Sequence, residues 1–98
     1  MKIWAKCIED NKIRKDLVLE FNFTKTTDTS VWNEIVSSFC NQFDLSRPII
    51  LSKHILELDH FSRTVFKKSD FMDNISFDKL ELEIFPEKKK DSIIFKND

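Results

Sequence analysis

The stretch from Val31 to Phe43 carries the strongest structural pattern in the chain. At about 100° per residue, the turn of an α-helix, its apolar residues form one continuous arc and its polar residues fall opposite. The apolar positions are Val31, Trp32, Ile35, Val36, Phe39, Cys40 and Phe43. The pattern predicts an amphipathic helix, and its broad aromatic arc is typical of a helix that lies on a β-sheet.

Two alternating runs precede this helix and predict an antiparallel hairpin. Residues 2–9 and residues 16–23 each alternate apolar and polar side chains, as half-buried strands do. The core-facing positions of the two runs are Ile3, Ala5, Cys7, Leu17, Leu19, Phe21 and Phe23. Asp10, Asn11 and Lys12 between the runs have the composition of a turn.

The polar segment 24–30 leads into the helix, with Asp28, Thr29 or Ser30 as its N-cap. Pro48 prevents the helix from continuing, and residues 48–51 are expected to form a short edge strand or an extended segment.

A second helix over Lys53–Arg63, capped by Ser52, is expected next. Residues 64–74 then predict a loop anchored by Val65, Phe66 and Phe71, with a single helical turn at 69–73. The clean alternation of Lys79–Phe85 predicts a closing strand with Leu80, Leu82 and Ile84 facing the core.

This order predicts an α+β fold: a small mixed sheet, β-β-α-(short β)-α-β, with the first helix packed on one face. The order resembles the β-grasp fold, and that resemblance implies a final strand that enters beside the first and parallel to it. A plain antiparallel three-stranded sheet is the alternative that the pattern leaves open. Residues 1–86 are expected to form a single domain, followed by a charged C-terminal tail over residues 87–98.

Composition limits the function classes. The net charge is −1, so a basic nucleic-acid footprint is missing, and no apolar window of about 18 residues predicts a membrane span. The chain has no glycine, which excludes a glycine-rich loop that cradles phosphates. Cys7 and Cys40 are expected to be reduced, buried residues of a cytoplasmic protein.

Three C-terminal segments, residues 61–66, 69–71 and 77–83, resemble the C-terminal half of short uncharacterised proteins from AT-rich Firmicutes. The resemblance implies a bacterial protein. It implies no activity, so it assigns no functional residue.

The outward side of the predicted sheet is the expected partner-binding surface. It combines aromatic and aliphatic anchors with charges of both signs, as protein interfaces do. Its predicted contact residues are Lys2, Trp4, Lys6, Ile8 and Phe85. The expected function is that of a protein-interaction or accessory module, with another protein or a second copy as partner. The alternative is that the second helix, the 64–74 loop or the tail covers this side.

Two further functions are alternatives that the sequence leaves open. His54, Glu57 and His60 on the second helix are potential metal ligands, although their three-residue steps spread them around the helix. Trp4 with Lys2 and Lys6 is a potential platform for single-stranded nucleic acid. No catalytic motif and no cofactor site are recognised, no small-molecule ligand is indicated, and the chain is expected not to be an enzyme.

Overall fold

The computed structural model describes residues 1–24 and 26–86, so the predicted tail over residues 87–98 lies outside the described residues. The fold is α+β, as predicted. The elements in chain order are β1 (Lys2–Glu9), β2 (Lys12–Glu20), α1 (Thr29–Phe43), α2 (Ser52–Phe61), β3 (Arg63–Lys67) and β4 (Lys79–Ile84), with a 3₁₀ turn at Lys68–Asp70 between the last two strands.

The strands form one sheet in the order β2-β1-β4-β3, and every neighbouring pair is antiparallel. The final strand lies beside the first, as expected, with Trp4 opposite Glu83 and Cys7 opposite Leu80. The β-grasp resemblance implied that the final strand runs parallel to β1, whereas β4 runs antiparallel to it. The prediction of a mixed sheet was therefore wrong. The reason is the additional strand β3, which precedes β4 in the chain. Because β3 and β4 are antiparallel, the chain reverses once more before the final strand, and β4 therefore runs opposite to the predicted direction.

Strand β3 replaces the end of the predicted helix and the start of the predicted loop. Helix α2 ends at Phe61 because Ser62 adopts the left-handed conformation, with φ 59°, and the chain turns there. The N-cap is Leu51 rather than Ser52. The expected strand at residues 48–51 is only an isolated bridge between Pro48 and Phe71, because proline cannot donate to a ladder.

The hairpin turn sets the length of β2. Asp10 and Asn11 have φ values of 53° and 63°, which a two-residue turn of the primed kind requires and which Asp and Asn tolerate in place of glycine. Pairing therefore starts at Glu9 with Lys12 and ends at Lys2 with Glu20, where β1 begins. Strand β2 thus covers Lys12–Glu20 instead of residues 16–23.

The core lies between one face of the sheet, here called the inner face, and the two helices. The N-terminus of α1 is capped by Asp28, whose Oδ1 accepts hydrogen bonds from the Ser30 hydroxyl at 2.8 Å and from Ser30 N at 2.9 Å. These two bonds, in that order, lower the pKa of Asp28. Both helices and the strands share one apolar cluster, which includes Ile3, Ala5, Cys7, Trp32, Ile35, Phe39, Ile55, Leu58, Phe66, Leu80 and Leu82.

Cys7 and Cys40 are free thiols inside this core, as expected. Burial raises the pKa of each to about 11. Among the described residues, none of the helices has the length and apolar character needed to cross a membrane.

Candidate functional site

The outer face of the sheet is the side that faces away from the core. Along the described part of the chain, the buried apolar residues of α1 and α2 pack on the inner face, and so do Phe71 and Phe77 of the connection between β3 and β4. Neither the second helix nor that connection therefore covers the outer face. The predicted contact residues Trp4, Ile8 and Phe85 are half-buried there, and Lys2 is exposed.

The charges at the centre of the outer face neutralise one another. Lys6 Nζ lies 2.9 Å from Glu83 Oε1 and 3.6 Å from Glu81 Oε2. Arg63 Nε lies 3.3 Å from the same Glu81 oxygen. Lys6 is only 8% exposed, so its charge is held within the protein rather than presented to a ligand.

An aromatic pair adjoins this network. The rings of Trp4 and Phe85 stack with centroids 6.0 Å apart, and Lys6 Nζ lies 3.8 Å from the centroid of the Trp4 ring. The indole N–H of Trp4 donates to Asp16 Oδ2 at 2.9 Å. The exposed apolar residues of this face are Ile13 and Val18 on β2, at 49% and 44% exposure.

Trp4 and Lys6, two of the three residues predicted to bind single-stranded nucleic acid, are held in contacts within the sheet, whereas Lys2 is exposed. A base-stacking platform needs a free aromatic face beside unpaired cations. The Trp4 ring instead stacks on Phe85 and contacts Lys6, whose charge is paired with Glu81 and Glu83.

The structure also separates the potential metal ligands. His54 is fully buried, whereas His60 is exposed and Glu57 accepts a hydrogen bond from the hydroxyl of Thr64. Within residues 1–24 and 26–86, no group of three or more His, Cys, Asp or Glu side chains could hold a metal ion.

His54 has a structural position at the start of α2. Its Nδ1 accepts a hydrogen bond from the backbone N–H of Leu51 at 2.9 Å, so the neutral ring carries its proton on Nε2. Nε2 lies 3.4 Å from Asp70 Oδ2, and the ring packs 4.3 Å from that of Phe66. Burial lowers the pKa of His54, although the Asp70 carboxylate opposes that shift.

A second candidate site, which the sequence did not indicate, is a groove between α2 and β3. Its volume is about 500 Å³. The helix contributes Lys53, Glu57 and Phe61, which are four residues apart and therefore share one face. The strand contributes Arg63, Thr64, Val65 and Lys67. Phe61 is 75% exposed, so its ring adds apolar surface to one end of the groove.

Strand β3 forms an edge of the sheet along this groove. Ile84 N donates to Ser62 O, and the register of β3 and β4 then places Thr64 and Phe66 in the hydrogen-bonded pairs with β4. The backbone N–H and C=O groups of Arg63 and Val65 therefore point away from β4, toward the open edge. Lys67 N is already bonded to Asp70 Oδ2 at 2.9 Å.

The sequence missed this groove because it missed β3. The available signal was the run of β-branched and aromatic residues Thr64, Val65 and Phe66, which begins three residues after α2 and is typical of a strand. Phe61 was expected to lie inside α2, where its exposure could not be foreseen.

Comparison with known proteins gives no match to a family model, to a curated protein or to a solved structure. The resemblance to short Firmicutes proteins therefore stays a prediction, and the function has to be argued from this geometry.

Proposed function

We propose that this chain is a protein-interaction module that binds an extended segment of a partner protein along the open edge of β3. The observation that carries the proposal is the combination of edge groups on Arg63 and Val65, which no strand among the described residues pairs, with a groove beside the adjacent face of α2. The proposal needs no catalytic residue and no cofactor.

Strand addition explains why both features occur together. An added strand would hydrogen-bond to the open N–H and C=O groups of Arg63 and Val65, which supply affinity without regard to sequence. Its side chains would alternate between the two sides of the sheet. One set would face α2 and Phe61, and the other would lie beside Val65 on the outer face.

The expected location of such a module is the cytoplasm. The two free, buried cysteines support this proposal, because a reducing compartment keeps thiols in that state.

The test is a selection of random octapeptides on the full chain, followed by binding to matched proline variants. Val65→Pro removes the open N–H at the centre of β3 without breaking a bond to β4. We expect selected peptides to lose binding to Val65→Pro by about tenfold or more, since main-chain bonds and edge access are both lost. Fluorescence anisotropy with labelled peptides measures the affinity.

Val18→Pro is the matched control. Val18 lies on the opposite edge strand, in a pair whose N–H also points away from the sheet, and it does not line the groove between α2 and β3. Binding to this variant should match the wild type. A selection that enriches nothing, or peptides that bind Val65→Pro as well as they bind the wild type, would refute the proposal.

The outer face is a second candidate surface for the same class of function. The observation in its favour is that Val18 is exposed beside the Trp4–Phe85 stack and Ile13 is exposed opposite Ile8, while the neighbouring charges are already paired. A partner or a second copy could cover such a face without leaving those charges unpaired. Peptides that lose binding to Val18→Pro but retain it with Val65→Pro would favour this surface.

A further inference from the structure

The groove has a direction, because α2 and β3 run antiparallel along it. Phe61 and Arg63 lie at one end, where the helix leads into the strand. Glu57 bonds to Thr64 in the middle. Lys53, near the start of α2, and Lys67, at the end of β3, line the opposite end. The groove therefore has an aromatic end and a basic end.

The groove is also more basic than the rest of the molecule. Three of its seven lining residues are basic and one is acidic, whereas the whole chain has a net charge of −1. The acidic residue, Glu57, accepts a hydrogen bond from the hydroxyl of Thr64. Among the described residues, neither Lys53 nor Lys67 forms an ion pair. Two cations are thus available at one end of an open strand edge.

We propose that the segment bound along β3 is acidic. Its carboxylates would lie at the end formed by Lys53 and Lys67, and an apolar side chain would lie against Phe61 at the other end. This inference rests on the proposed strand addition and adds the chemistry of the partner: an extended acidic segment with at least one aliphatic or aromatic residue. Charge complementarity of this kind steers the encounter and fixes the register of the bound segment.

The test compares three synthetic octapeptides, which alternate valine with glutamate, with serine or with lysine. The full chain is labelled with ¹⁵N, and amide shifts on β3 report where each peptide binds. We expect the glutamate peptide to bind about tenfold more tightly than the serine peptide, as two partly exposed ion pairs allow, and the lysine peptide to bind most weakly. The advantage of the glutamate peptide should shrink between about 50 mM and about 500 mM salt.

A charge-reversed variant identifies the cations. Lys53→Glu combined with Lys67→Glu should cost the glutamate peptide its advantage and favour the lysine peptide. Lys12→Glu combined with Lys15→Glu makes the same change in net charge on the opposite edge strand and should leave the preference unchanged. Both pairs lie on exposed positions, so folding should survive in each case.

The outcomes separate this inference from the function on which it rests. If the serine or lysine peptide binds β3 as tightly as the glutamate peptide, the acidic partner is refuted and strand addition stands. The same follows if the glutamate preference survives reversal of Lys53 and Lys67. If none of the three peptides shifts the β3 amides, strand addition itself is refuted.

Discussion

His54 is a buried ionisable residue whose neutral form is required by its contacts. Its Nδ1 accepts the Leu51 N–H that would otherwise be unpaired at the start of α2, and a protonated ring could not accept that bond. The groups that act on its charge are Asp70 from the 3₁₀ turn and Lys53 and Glu57 from its own helix, while Phe66 of β3 covers the ring. Desolvation outweighs the Asp70 carboxylate, so the pKa of His54 in the folded chain lies below its ordinary 6.5.

We therefore predict that the protein loses stability as the pH falls below about 6.5. In that range the unfolded chain takes up a proton on His54 before the folded chain does, so acid favours unfolding. The contribution of His54 to the free energy of unfolding is complete above pH 6.5. It is lost as the pH falls from 6.5 to the lower pKa of His54 in the folded chain. The slope from this one proton reaches at most about 1.4 kcal/mol per pH unit.

Urea unfolding followed by tryptophan fluorescence from pH 5 to pH 8 would measure this slope, at about half-unit steps. His54→Asn keeps an acceptor near the Leu51 N–H but does not titrate. The free energy of unfolding of this variant should therefore change less steeply with pH, by an amount that corresponds to at most one bound proton. Equal slopes for the variant and the wild type would contradict the prediction.

At the scale of elements, the outer-face network joins three strands. Lys6 comes from β1, Glu81 and Glu83 from β4, and Arg63 from β3. These side chains are diagonal or direct neighbours across the sheet, so each contact depends on the antiparallel register of β4. The ion pairs of this network therefore form only when the three strands pair in this register.

We predict that Lys6→Met destabilises the fold by about 1–3 kcal/mol, because Glu83 loses its partner and Glu81 keeps only Arg63. The upper part of the range is reduced by solvent, since the Glu83 side chain is 37% exposed. Chemical denaturation measures the loss.

The double variant Lys6→Met with Glu83→Gln should recover part of that stability, because it no longer contains an unpaired Glu83 carboxylate. Glu20→Gln, an exposed carboxylate on β2, is the control and should change stability little. A Lys6→Met variant as stable as the wild type would show that the network does not stabilise the fold.

At the scale of the whole molecule, the order of the strands decides which backbone amides are protected from hydrogen exchange with solvent. Strands β1 and β4 are central and pair on both sides, whereas β2 and β3 form the two edges. The central strands should therefore open only when the domain unfolds, and the edges should show alternating protection.

We predict this alternation in amide hydrogen exchange measured by NMR. The amides of Thr64 and Phe66 bond to β4 and should exchange slowly, whereas that of Val65 points to the open edge and should exchange much faster. Trp4 and Lys6 on central β1 should exchange most slowly. A Val65 amide as protected as that of Thr64 would mean that the edge of β3 is covered, which also contradicts the proposed binding site.

The sequence alone determined the elements whose signal is periodic and local. The apolar arc of α1 is buried as predicted, with Trp32 and Phe39 inaccessible to solvent, and the alternation of β1 and β4 placed their inner faces correctly. Such patterns persist because a helix or a half-buried strand must present one continuous apolar side to the core wherever its neighbours lie.

Tertiary structure alone decided the direction of β4, the existence of β3 and the site beside it. Five residues that follow a helix directly carry too little periodicity to predict a strand, and Ser62 reverses the chain in a conformation that serine rarely adopts. An edge is defined by the neighbour that a strand lacks, so the open groups of Val65 exist only once β4 has paired with β1 on one side and β3 on the other. Pairing between residues far apart in the chain depends on which surfaces meet in three dimensions, and local sequence does not encode it.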